Sequence, residues 1–155
     1  MMPYQKLTAW QAAHELVLAI YRATDRFPKH ELYGLTSQLR RAAFSVAANI
    51  AEGVAKRGNG EFRRFLDISI GSLSEISYAT LLAKDLGLLE AAQANEIESR
   101  REHASKLTWG LYKSVSRNAT KRPRRGLGFS LGDRARAPES RHDRTAASQP
   151  ESGMK

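Results

Sequence analysis

The sequence predicts an all-α protein, an antiparallel up-down-up-down four-helix bundle followed by a disordered C-terminal tail. Apolar residues recur at steps of three and four along four successive segments, which is the period of packed helices. No segment shows the alternation of β-branched and polar residues that is typical of a half-buried strand. The connections between the four segments are short, so we expect consecutive helices to be antiparallel neighbours.

The first helix is predicted to begin at Thr8 and to run to about Arg26. Thr8 suits the N-cap position, and Gln11 follows three residues later as its partner in a capping box. Pro28 ends the helix, because the residue before a proline is disfavoured in the helical conformation. The residues expected to face neighbouring helices follow alternating steps of three and four: Trp10, Ala13, Val17, Ile20, Thr24 and Phe27.

The second helix is predicted from roughly Leu35 to Ala55, and small residues dominate its packed side. The third is predicted from about Gly60 to Leu86, with Asn59 as its N-cap and Gly87 as its stop. The packed positions of the third helix keep the heptad spacing throughout: Phe62, Leu66, Ser69, Leu73, Ile76, Thr80 and Ala83.

The fourth helix is predicted from about Glu90 to Ser116, with Gly110 weakening its last turns. We therefore divide the chain into a bundle of residues 1–118 and a tail of residues 119–155. The tail is rich in Pro, Gly, Ser and Arg and lacks an apolar period, so we expect it to be disordered. A group of its cations is equally interpretable as a flexible binding arm or a solvated terminus: Lys121, Arg122, Arg124 and Arg125.

The composition favours a polyanionic partner. Lysine and arginine number 25 against 16 acidic residues, giving a formal net charge of +9 and a pI of about 10.2. The absence of cysteine excludes disulfides and thiolate chemistry and fits a reducing compartment. The N-terminal region is polar, and its apolar run from Leu16 to Ile20 is too short for a signal sequence or a membrane span. We expect a cytoplasmic protein with no membrane partner.

The residue patterns favour a protein that is not an enzyme and has no metal or cofactor. A di-iron bundle needs paired Glu-x-x-His motifs, and the only match runs from Glu139 to His142 in the tail. The other histidines stand alone and are expected to be surface or interfacial residues: His14, His30 and His103. The tail glycines lack the strand and helix that flank a phosphate-binding loop: Gly126, Gly128 and Gly132. No Ser-His-Asp set is recognisable.

Basic side chains are concentrated on the second and third helices and on the turn between them. Six cations are the candidate nucleic-acid contacts: Arg40, Arg41, Lys56, Arg57, Arg63 and Arg64. Each phosphate that they neutralise would add about 0.9 to the slope of log K against log salt. The alternative is a solvated charged face, since Glu61 and Asp67 lie near the last two arginines. No aromatic residue is obviously placed to stack on bases.

A second, partly apolar flank is predicted on the second helix, where Arg40 lies beside Phe44, Ala47 and Ala51. Phe44 is about 180° from the packed side, so this flank is a candidate subunit interface. The alternative is a single exposed phenylalanine. Asn49 falls at a packed position, and we expect its amide to bond a neighbouring helix or to fix the register.

Three motifs resemble the bacterial four-helix-bundle family of 23S rRNA-intervening-sequence proteins. They are YQKLTAWQAAHELVLAIY, FPKHELYGLTSQLRRAAFSVAANIAEG and GEFRRFLDISIGSLSEISYATLLAKDLGLL, and the resemblance covers residues 4 to about 116. It implies a helical protomer that assembles into a ring-like homopentamer. Relatives of the family include accessory proteins of diversity-generating retroelements, which are associated with nucleic acid and a reverse transcriptase through basic surfaces. The tail does not match.

Two hypotheses follow for the function. The first is a non-enzymatic, oligomeric helical protein whose basic surface binds RNA or DNA by shape and charge. The second is a protein-protein adaptor, for example an accessory subunit of a reverse transcriptase, that docks a partner on the Phe44 flank and on exposed apolar residues such as Ile68 and Leu82.

Overall fold

The computed structural model describes residues 1–120, and within them it contains helices and no strand. The four long helices are α1 (Thr8–Thr24), α2 (Leu35–Ala55), α3 (Asn59–Asp85) and α4 (Ala91–Thr120). Short 3₁₀ helices precede α1 and α2. The predicted four-helix fold is confirmed. Apart from the two residues that end α4, the predicted tail lies outside the described residues.

The four helices form a closed ring of neighbours. α1 packs against α2 and α4, and α3 packs against the same two helices from the other side. Because the connections are short, each helix runs antiparallel to the next one in the chain. This arrangement leaves the outer faces of all four helices available to solvent or to partners.

The core is built from aliphatic side chains contributed by every helix. Its fully buried large residues are Leu16, Ile20, Leu39, Val46, Ile50, Leu66, Leu73, Ile76 and Ile97. Leu16 takes the place that the sequence analysis expected for Val17, which is only half-buried. A straight helix turns about 100° per residue and so drifts away from a strict seven-residue repeat.

The N-terminal caps differ from those expected. Leu7 holds the N-cap position of α1, so the predicted capping box of Thr8 and Gln11 is wrong. Gln11 instead donates its Nε2 to the backbone oxygen of Gln5 at 2.9 Å. The predicted cap at Asn59 is also wrong, because Asn59 already belongs to α3. The preceding glycine caps this helix in a backbone conformation, φ +97°, that favours glycine.

The predicted stop at Gly87 is confirmed, and it has a clear backbone cause. Gly87 has φ +71° and donates its N–H to Lys84 O, while Leu88 N donates to Ala83 O at 2.8 Å. These two bonds satisfy the last carbonyls of α3 in a Schellman motif. Elsewhere the helix ends are shifted: α1 ends at Thr24, two residues early, and α4 extends to Thr120.

A polar seam joins α2 to α3, and it corrects the expectation for Asn49. Its Nδ2 donates to Ser45 O and Oγ, at 2.8 and 3.1 Å, within the same helix. The bonds between the helices come from serines: Ser72 Oγ lies 2.8 Å from Ser45 Oγ, and Ser69 Oγ donates to Val46 O at 3.0 Å. Asn49 lies one turn after Ser45 on the same face of α2, so its amide is close enough to bond Ser45 within the helix.

Candidate nucleic-acid interface

The six predicted cations do not form one cluster. Arg40 and Arg41 lie in the first half of α2, near the end of α1, and are called here the α1–α2 cations. The other four lie where α2 gives way to α3 and are called the α2–α3 cations: Lys56, Arg57, Arg63 and Arg64. At 1.5 Å per residue, Arg41 and the end of α2 are about 20 Å apart along the helix axis.

Arg40 is bound within the protomer. Its Nε donates to Thr24 Oγ1 at 2.8 Å, and its Nη2 reaches Tyr21 O at 3.4 Å and Asp25 Oδ1 at 3.7 Å. The guanidinium carbon also lies 4.8 Å from the centre of the Tyr21 ring. These contacts place a positive charge at the carboxyl end of α1, where the helix dipole favours a cation. Arg40 therefore ties α2 to the end of α1.

Arg41 is exposed and makes no ion pair with the described part of the chain. It borders two shallow grooves that meet at Phe44. One, of about 440 Å³, is walled by Tyr21, Leu32 and Tyr33. The other, of about 280 Å³, runs between α2 and α3 and ends at Glu75. The Arg41 guanidinium is thus available to an external anion.

Two of the α2–α3 cations cover the buried ring of Phe65. Lys56 Nζ lies 5.1 Å and Arg64 Cζ 4.5 Å from the ring centre. Each also has an ion pair on its own helix, Lys56 with Glu52 at 3.0 Å and Arg64 with Glu61 at 3.3 Å. All four charged side chains are well exposed, so these pairs are weak and screened by salt. A phosphate would displace the carboxylates at little cost.

The remaining two α2–α3 cations make fewer contacts with other side chains. Arg57 is exposed and has no ion pair within residues 1–118. Arg63 is half-buried, and its Nε is shielded from solvent without a hydrogen-bond acceptor among the described residues. Both lie near the start of α3, whose cap provides no side-chain acceptor. The positive end of the α3 dipole therefore adds to the positive electrostatic potential around these two side chains.

The predicted subunit flank is only partly at the surface. Phe44 is 64% exposed, but Ala47 is only 8% exposed and belongs to the core of the protomer, so it offers almost no area to a partner. Ala51 is half-buried. The apolar neighbours of Phe44 come instead from the segment before α2, chiefly Leu32 and Tyr33. Sequence reasoning missed them because they belong to no helical period.

The described residues contain no group of three or more His, Cys, Asp or Glu side chains that could hold a metal ion. His14 stacks on Trp10, with ring centres 5.1 Å apart. No helix among those described is long and apolar enough to cross a membrane.

The family profile described as "23S rRNA-intervening sequence protein" matches residues 5–110, which are most of the bundle and more than half of the chain. The chain belongs to this family. The match ends before the tail, as the sequence motifs predicted. Among curated proteins, none matches this member of the family.

A solved structure supports the fold of this family member. It is a protein of unknown function from the S23 ribosomal protein family of Bacteroides thetaiotaomicron. The two are 19% identical, with a TM-score of 0.62, and the superposition covers 68% of this chain and 99% of the other. At this identity the likeness establishes the four-helix architecture.

Proposed function

We propose that this protein is a non-enzymatic, oligomeric, cytoplasmic bundle that binds RNA or DNA through its basic surface. The main support is that Arg41 and Arg57, toward opposite ends of α2, are both exposed and have no ion pair among the described residues. The weakly paired Lys56 and Arg64 add charge beside Arg57. To contact both groups, a nucleic-acid backbone would have to follow α2 over about 20 Å.

The spacing of the cations favours recognition of the backbone over that of the bases. The two groups are about 20 Å apart along the axis, which a strand or a duplex edge spans with several phosphates between the contacts. Arg40 is occupied by α1, so we propose that it positions Arg41 and does not itself bind phosphate. Binding should therefore depend on salt and shape and only weakly on sequence.

A salt-titrated binding assay tests the proposal. The double variant Arg41→Glu/Arg57→Glu is compared with the matched control Lys106→Glu/Lys113→Glu, which changes the net charge equally on exposed positions of α4. We expect the first to lose most of its affinity for a short duplex and for a single strand and the second to keep it. Equal losses in both variants, or affinity that does not fall between about 50 and 200 mM salt, would overturn the proposal.

Self-association is proposed for the Phe44 flank. Phe44 is 64% exposed and lines one shallow groove with the exposed Leu32 and Tyr33, and a second copy would remove this apolar patch from water. The family resemblance makes a homopentamer the expected assembly. Arg41 borders the same flank, so assembly would bring one Arg41 from each protomer toward a shared basic surface.

The second candidate function is an adaptor that docks a protein, such as a reverse transcriptase, on the same flank. Phe44 and the exposed Ile68 of α3 support it. Leu82, also predicted to take part, is half-buried and would add little area. A pull-down with the product of a neighbouring gene after nuclease treatment tests it. Retention that is lost in Phe44→Ser supports the adaptor, and absence of retention counts against it.

A further inference from the structure

A groove between α3 and α4 lies outside the basic surface. Its volume is about 460 Å³, within the range of small-molecule sites. Tyr78 forms one rim and is 67% exposed, and Leu81 continues that rim one turn later. Polar side chains line the rest, chiefly Ser77, Thr80 and Asn95. The groove therefore combines an aromatic wall with hydrogen-bonding groups.

Thr80 is the first sign that this groove is a binding site. It is only 3% exposed, and its Oγ1 has no hydrogen-bond partner among the described residues. The buried Thr24 and Thr108 each donate to the carbonyl four residues earlier, both at 2.8 Å. A buried hydroxyl without a partner destabilises the folded chain. Thr80 lines the groove, so a ligand group that enters deeply enough to reach this hydroxyl would supply the missing partner.

The charges around the groove leave one cation unpaired. Glu98 accepts from Ser77 Oγ at 3.3 Å and from Arg101 Nη2 at 2.6 Å, so its negative charge is compensated. The hydrogen bonds that Arg101 donates to Glu98 raise the pKa of Arg101 and keep that guanidinium charged. Lys84 makes no ion pair within residues 1–118. The groove therefore favours an anion near Lys84.

We propose that this groove binds a nucleotide, with the base on the Tyr78 ring, a polar base edge at Thr80 and Asn95, and the phosphate at Lys84. Tyr78 and Lys84 are six residues apart on α3, about 9 Å along its axis, which leaves room for the sugar. A free phosphate would not use the aromatic rim, and an apolar ligand would leave Thr80 and Lys84 unsatisfied. A nucleotide uses all of these groups.

A free mononucleotide and an unpaired nucleotide of a single strand present the same chemical groups to this groove. Binding of the strand rests on the proposed function. Ser45 of α2 and Ser72 of α3 are hydrogen-bonded to each other, so they lie at the same height along the bundle axis. Arg41 is four residues from Ser45, and Tyr78 is six residues from Ser72 in the same direction along the bundle. A strand held by Arg41 would therefore pass within about one helical turn of the Tyr78 level.

The test uses full-length protein and the fluorescent base 2-aminopurine, which is quenched when it stacks on an aromatic ring. One arm uses 2-aminopurine riboside monophosphate, and the other uses a short single-stranded RNA that contains one 2-aminopurine. We expect saturable quenching by the wild-type protein. Tyr78→Ala should weaken binding about fivefold or more, the low end of what one stacked base contributes. Tyr33→Ala is the matched control on an exposed tyrosine outside the groove and should keep mononucleotide binding.

Thr80→Val separates binding from folding. Valine has nearly the shape of threonine but no hydroxyl, so it should weaken the mononucleotide and leave the melting temperature unchanged or raise it. A melting temperature that falls together with the affinity would show that the hydroxyl serves the fold and would contradict its role in binding.

The two arms also distinguish the groove from the basic surface. If Arg41→Glu/Arg57→Glu abolishes RNA binding while the mononucleotide still quenches, the groove binds the free nucleotide and the proposal stands. If RNA binds without quenching and Tyr78→Ala has no effect, the groove proposal is wrong although the proposed function stands. If neither probe binds, the groove proposal is overturned, and the salt titration with the duplex decides the proposed function separately.

Discussion

Gly53 of α2 lies directly against Phe62 of α3. A Cβ placed on Gly53 would come within 2.6 Å of Phe62 Cδ2 and 3.0 Å of Phe65 Cβ. The absence of a side chain at this one position lets α3 begin close to α2. It thereby brings Lys56 and Arg64 together around Phe65.

The variant Gly53→Ala should destabilise the bundle. The added methyl must displace a packed aromatic ring, which costs about 1–3 kcal/mol of unfolding free energy. Urea denaturation of the two proteins measures the difference. The control is Gly71→Ala in α3, where an added Cβ meets open space, and it should stabilise by about 0.5–1 kcal/mol because alanine is the better helix former. Equal effects at the two glycines would contradict the packing explanation.

The Arg40 contact with Thr24 should appear as a coupling energy. We expect a double-mutant cycle with Arg40→Gln and Thr24→Val to give about 0.5–1.5 kcal/mol, since the 2.8 Å bond is shielded on the Thr24 side but partly open on the arginine side. Chemical denaturation of the four proteins supplies the values. Arg41→Gln should change stability little, and a larger loss there than at Arg40 would reverse the roles assigned to the two arginines.

Phe44→Ser should lower the mass of the particle in solution. Light scattering on the wild-type chain should give a multiple of 17.3 kDa, and the variant should shift toward a single chain because the exposed ring no longer gains from being covered. Leu86→Ser is the control, since Leu86 is exposed at the far end of α3. A monomeric wild-type protein would refute the proposed interface.

The serine seam should matter more than an exposed serine on the same helix. Ser72→Ala removes the hydrogen bond to Ser45 across the helix pair and should cost about 1 kcal/mol. Ser74→Ala removes only an exposed bond to Ile70 O and should lie within about 0.5 kcal/mol of wild type. Thermal unfolding compares the two. A larger effect at Ser74 would show that the seam does not hold α2 to α3.

Local sequence patterns predicted most of the fold. The bounds of α2 were predicted to the residue, and Gly87 was recognised as the stop of α3, because apolar periodicity and a left-handed glycine act over neighbouring residues. The caps at Thr8 and Asn59 were predicted wrongly, since the residue types fit a cap but the chain enters both helices one residue earlier.

The candidate sites were only partly readable in the sequence. The cations and Phe44 were recognised as surface features of α2 and α3. The partners of Arg40 in α1 and the burial of Ala47 could not be predicted, because both depend on which face of α2 meets which neighbour. The groove between α3 and α4 was not predicted. The heptad spacing places Thr80 in the core but does not show whether its hydroxyl has a hydrogen-bond partner.

The sequence by itself determined an all-α bundle of four antiparallel helices, its family and its basic character, since helix period, turn residues and net charge are properties of neighbouring residues and of composition. Only the tertiary structure decided that the six cations divide into two groups and that Tyr78, Thr80 and Lys84 line one groove with Asn95. The physical reason is that contacts between helices are set by the mutual packing of whole faces, which no single helix specifies.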